Sequence, residues 1–134
     1  METIRSHRDL KVWNKAMDAA MAVFEVTRDF PSDERYSLTD QVRRSSRSTP
    51  AQISEAWRKR RYAAAFVSKL NDAEGEAAET QTHIELSRRC KYLSDQKAAE
   101  LDAVYEEILS MLATMANHPD KWCLGKQECE NVRA

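Results

Sequence analysis

Residues 35–62 read RYSLTDQVRRSSRSTPAQISEAWRKRRY. Leu38, Val42, Ser45, Ser46, Thr49, Ile53, Ala56 and Trp57 recur there at steps of three and four, the mark of one helix face. Pro50 stands in the middle of that pattern. A proline inside a helix removes a backbone hydrogen bond and crowds the preceding turn, at a cost of about 3 kcal/mol. Either the helix breaks at Thr49 or it runs on with a kink. The inward phase of Val42, Ser46, Thr49, Ile53 and Ala56 is the same on both sides of the proline, which favours one helix from about Glu34 to Lys59, kinked at Pro50. The Ser45 and Ser46 hydroxyls are then expected to satisfy the carbonyl that the proline frees.

The flanking segments repeat the helical period. From about Asp9 to Asp29, Trp13, Ala16, Met17, Ala20, Val23, Phe24 and Thr27 form an amphipathic stripe, and Pro31 ends it. From about Arg61 to Lys91 the stripe is Tyr62, Phe66, Leu70, Ala73, Ala77, Thr80, Ile84 and Ser87. Its alanine-rich middle, with Gly75, predicts close packing against a neighbour. A fourth helix starts at a Ser94 or Asp95 cap and carries Leu101, Val104, Ile108, Leu109, Leu112 and Met115 to about Asn117. Residues 118–134 lose the period and read as a partly disordered tail. Long helices with short connections predict an all-α, antiparallel up-down-up-down four-helix bundle over residues 1–117.

Composition agrees. The 134 residues suffice for one core, and two glycines and three prolines leave few turns for β-hairpins. No run approaches the roughly 18 apolar residues of a membrane span. The N-terminal METIRSHRDL lacks a signal peptide's apolar stretch. The three cysteines, Cys90, Cys123 and Cys129, have no CxxC spacing and read as reduced thiols of a cytoplasmic protein.

Charge is the uneven feature. The net charge is −1, yet residues 43–62 hold Arg43, Arg44, Arg47, Arg58, Lys59, Arg60 and Arg61 against the single acid Glu55. On a continuous helix, with Arg43 at zero, Arg47 falls near ~40°, Arg58 near ~60°, Arg61 near ~0° and Arg44 near ~100°, a band about 27 Å long. The guanidinium fork suits phosphate, and Trp57 and Tyr62 are candidate stacking surfaces for unpaired bases. The competing reading is structural. Asp72, Glu74, Glu76, Glu79 and Glu85 lie in a stretch without Lys or Arg, and a hairpin turning near Arg60 sets Arg47 opposite Ala73 and Arg43 opposite Ala77. Pairing across helices or subunits would then absorb several arginines.

No catalytic residue is assigned. Gly75 and Gly125 are isolated, so no phosphate-binding loop exists, and Ser45, Ser46 and Ser48 have no histidine nearby. Asp72, Glu76, Glu79 and His83 share a helix face, but a di-iron bundle needs Glu-x-x-His on two helices, and the single Glu-x-x-x-His here is no metal site. Cys90 lies among Arg88, Arg89 and Lys91 and reads as a small residue at a helix end. No cofactor is expected.

The motifs 8-RDLKVW-13, 35-RYSLTDQVRRSSRSTPAQISEAWRKRRY-62, 66-FVSKL-70, 74-EGEAAETQT-82 and 90-CKYL-93 together resemble the bacterial four helix bundle protein family, also called the rRNA intervening-sequence protein family. Thr49 and Gln52 depart slightly from its pattern around Pro50, and His83 stands where an aromatic is common. The resemblance implies a homopentamer without enzymatic activity. It also implies kinship with an accessory protein that binds a reverse transcriptase and nucleic acid. On a pentamer, Arg58 to Arg61 would make about twenty cations whose weak contacts add through effective concentration. The expected role is a scaffold or accessory factor binding RNA, DNA or a nucleic-acid-associated protein.

Overall fold

A computed structural model of the chain describes residues 3–124. Among them are four long helices and one short one: α1 (Lys11–Thr27), α2 (Leu38–Arg58), α3 (Ala63–Arg89), α4 (Asp95–Asn117) and α5 (Pro119–Trp122). They form a helical bundle, and no strand occurs among the described residues.

Each boundary has a local cause. Before α1 the Ser6 side chain accepts the Arg8 N–H, and the Asp9 carboxylate accepts the Arg5 N–H at 2.8 Å. Ser94 caps α4 by accepting the Lys97 N–H at 3.1 Å. At the end of α3, Lys91 adopts φ 66°. The Lys91 N–H donates to the Arg88 carbonyl and the Tyr92 N–H to the Ser87 carbonyl, both at 2.9 Å, which closes a Schellman turn.

Helix α2 runs unbroken through Pro50, and the proline itself is buried. Its hydroxyls are used differently from the expectation. Ser45 donates to the Val42 carbonyl, Ser46 to the Arg43 carbonyl and Thr49 to the Ser45 carbonyl. They fold back on the turn before the proline instead of serving the carbonyl it frees. On the inner side, the buried Thr80 hydroxyl lies 2.8 Å from the Ser45 hydroxyl, linking α3 to α2.

The core is built from Ile53, Phe66, Leu70, Tyr105, Ile108 and Leu112 with small residues between them, and α3 packs most extensively on α2 and α4. Helix α1 lies against α2 and α4; Ala16, Ala20, Val23 and Thr27 of its expected stripe are buried, but the buried face is rotated somewhat from the expected phase. Val12 and Ala19 are buried, whereas Trp13 and Phe24 are only half-buried and Met17 is exposed. Apolar residues cover a wide arc of this helix. The small ones take the close approach to neighbours, and the large ones are left at the edge. Ala73 and Ala77 are buried as expected, but a side chain at Gly75 would meet nothing within 4 Å. That glycine serves no close contact.

The start of the expected tail packs on the bundle. Trp122 sets its ring edge against Trp57 at 6.5 Å between centroids, and the Leu124 N–H donates to the Arg60 carbonyl at 3.0 Å. Residues 125–134 lie outside the described residues.

Candidate nucleic-acid interface

The seven cations of residues 43–62 divide into two groups. Arg43, Arg44 and Arg47 lie in the first half of α2. Arg58 ends that helix, and Lys59, Arg60 and Arg61 occupy the turn to α3. The helical projection therefore holds for Arg43, Arg47 and Arg58 but not for Arg61, because α2 stops before reaching it.

Arg43 and Arg47 turn to α1 and not to the acidic face of α3. The Arg43 Nε donates to the Thr27 hydroxyl at 2.8 Å, and its guanidinium carbon stands 4.9 Å from the centre of the Phe24 ring. Arg47 lies 5.9 Å from the same ring. Arg28, at the end of α1, lies 5.8 Å from it. The anticipated pairing of Arg43 and Arg47 with the α3 acids is absent among the described residues. Of those acids, Asp72 is met by Lys69 at 3.6 Å and Glu85 by Arg88 and Arg89 of its own helix; the Lys69 Nζ also bridges to α2, reaching Gln52 at 2.8 Å and Glu55 at 3.2 Å. Of the seven cations, Arg44 alone has a carboxylate partner among the described residues, Asp40 at 3.6 Å, and that pair is largely exposed.

At the α2–α3 turn the Arg60 guanidinium lies 3.4 Å from the centre of the Trp57 ring, and its Nε donates to the Trp57 carbonyl at 2.8 Å. Burial pulls the Arg60 pKa below the usual guanidinium value, with Cys123 opposing and the charge of Arg58 assisting. Trp57 is only 6% exposed. Covered by Arg60 and edged by Trp122, it is no stacking surface for a base. Tyr62, at 58% exposure, keeps that capacity. Arg58, Lys59 and Arg61 are exposed.

The carboxylates of α3 form a separate surface. Burial raises the pKa of Glu74, and burial with the charges of Glu79 and Asp72 raises that of Glu76. His83 Nε2 is 3.9 Å from Glu79, and no group of three or more metal-ligating residues forms among the described residues. Cys90 is exposed at the end of α3.

Sequence reading does not single out Phe24 or Arg28 as part of a basic site. The period of Phe24 assigns it to the core, and Arg28 lies fifteen positions before Arg43 in a mixed-charge segment. The available signal is the spacing of four between them, which places both on one side of α1.

The model of the 23S rRNA-intervening sequence proteins matches residues 8–114. The chain belongs to this family. Among solved structures, the fold is similar to a protein of unknown function from the S23 ribosomal protein family of Bacteroides thetaiotaomicron VPI-5482. The two are 26% identical with a TM-score of 0.71, and the match covers 78% of this chain and 97% of that one. None of the curated proteins matches the chain. The family match spans α1, α2, α3 and most of α4, so it includes both groups of cations and the Phe24 ring. No helix among the described residues is long and apolar enough to cross a membrane.

Proposed function

We propose that this 23S rRNA-intervening sequence family member is a non-enzymatic, self-associating scaffold or accessory protein of the cytoplasm, which binds nucleic acid or a nucleic-acid-associated protein through its basic surface. The observation that carries this reading is the missing neutralisation: six of the seven clustered cations have no carboxylate partner among the described residues. The mixed-charge surface elsewhere, at a net charge of −1, would confine anionic partners to this region. The helices are taken to run antiparallel, up-down-up-down. The Tyr92 hydroxyl's bond to Glu34 at 2.9 Å and the Leu124 bond to Arg60 support that arrangement by tying turns together at each end.

Assembly as a homopentamer accounts for the apolar residues left on α1, with Met17 exposed and Met21 57% exposed beside half-buried Trp13. A reverse transcriptase is one partner class that fits a basic ring. The test is light scattering of the purified protein with and without a mixed RNA at two salt concentrations. A complex that forms at low salt and dissociates at high salt is expected. Absence of any complex at low salt would falsify the nucleic-acid reading.

A second reading rests on Glu74 and Glu76, carboxylates with raised pKa and no cation partner among the described residues. Opposite charges on different faces favour a head-to-tail interface between copies. Under that reading Arg43→Ala with Arg47→Ala lowers the assembly mass, and the wild type leaves RNA free.

A further inference from the structure

We infer that Phe24 and the guanidinium groups of Arg28, Arg43 and Arg47 form a seat for a phosphate group of a nucleic-acid backbone. The inference deepens the nucleic-acid reading above and rests on it. Three guanidinium carbons stand 5.8, 4.9 and 5.9 Å from the centre of one phenyl ring. They come from two helices, so the convergence is tertiary and not a by-product of a basic run. The ring attracts each cation, but it does not neutralise the trio.

Arg43 is held in place from the protein side. Its Nε is bonded to the buried Thr27 hydroxyl, which in turn donates to the carbonyls of Val23 and Phe24 at 2.8 and 3.0 Å. With Nε engaged there, the four N–H groups on its two terminal nitrogens have no partner among the described residues. The Arg47 side chain has neither a hydrogen bond nor an ion pair among them. Arg28 meets only Glu25, its neighbour on the same helix, at 3.6 Å, with both side chains more than half exposed. Such a pair is weak and easily exchanged.

The site thus sets guanidinium groups from two helices around one apolar ring, with the terminal nitrogens of Arg43 and Arg47 lacking partners among the described residues. A backbone phosphodiester spreads its negative charge over two non-bridging oxygens, each able to accept more than one hydrogen bond, so a single group can bridge guanidinium forks from both helices.

The test uses the full chain and a short labelled oligouridylate, read by fluorescence anisotropy at several salt concentrations, with light scattering of each variant alone. Arg28→Gln and Arg43→Gln are each expected to weaken binding about five- to tenfold and to lower the salt slope by about 0.7 for each phosphate that is no longer neutralised. Arg43→Lys keeps the charge but removes the fork and the Thr27 bond, so it should not restore wild-type affinity. The Arg28 side chain is 62% exposed, which separates its result from a folding defect. If Arg28→Gln and Arg43→Gln bind as the wild type does while Arg58→Gln with Arg61→Gln loses binding, the seat is wrong and nucleic-acid binding stands. If the wild type binds no oligonucleotide, both fall. A drop in assembly mass with unchanged affinity would assign the trio to the acidic face of a second copy and overturn the seat.

Discussion

Tyr105 is wholly buried, and its hydroxyl has no hydrogen-bond partner among the described residues. Burial pushes the phenol far above its ordinary pKa. The Ser46 hydroxyl acts in the opposite sense, but its own proton goes to the Arg43 carbonyl at 3.0 Å. A buried hydroxyl stripped of water without a replacement bond costs about 1–3 kcal/mol, so Tyr105→Phe is expected to stabilise the fold by about 1 kcal/mol. Urea unfolding measures this, and a loss of stability would mean that the hydroxyl is bonded after all. The same accounting separates the arginines. Arg60 is committed to Trp57, Arg43 is half committed to Thr27, and Arg58 and Arg61 have no carboxylate partner among the described residues. Their positions in the sequence are equivalent by composition; their chemistry differs because their neighbours do.

At the level of the element, the end of α3 is governed by one carboxylate. Glu85 accepts from Arg88 Nε and Nη2 at 2.9 and 2.8 Å and from Arg89 Nε at 2.9 Å. The bonds from Arg88, then those from Arg89, hold its pKa at about 2 against an ordinary 4.5. A depressed carboxylate contributes stability that is present above its unfolded value and is lost as pH falls through the folded one. The stability difference between wild type and Glu85→Gln is therefore expected to be full at neutral pH, to shrink below pH 4.5 and to vanish near pH 2. Urea midpoints over that range check it, and a constant difference would remove the charge from the explanation. Glu74 and Glu76 work the other way: their raised pKa values mean that protonation favours the fold as pH falls, which blunts the wild-type acid response. The helices themselves were legible in the sequence. The Ser94 cap, the end near Asn117 and the passage through Pro50 follow from spacing and local hydrogen bonding, which need no distant partner. The arginine band was legible only as far as α2 extends. Its continuation to Arg61 failed because the helix ends at Arg58.

For the whole molecule, the α1 edge makes the most direct forecast about assembly. Met21→Glu places a charge on an exposed position, so monomer folding should be unchanged within about 0.5 kcal/mol. If α1 lies in a subunit interface, light scattering should show a reduced mass. An unchanged mass would place the interface elsewhere.

Taken alone, the order of residues determined four amphipathic helices, the inward faces of α2 and α3, and the concentration of guanidinium groups near Pro50. Those properties depend on periodicity within a single segment. The three-dimensional packing decided the rotation of α1, the cover that Arg60 and Trp122 place over Trp57, and the gathering of Arg28, Arg43 and Arg47 at Phe24. Each depends on which side chain a neighbouring helix offers at close range, and a wide apolar arc like that of α1 fits several rotations until small residues select the one that packs.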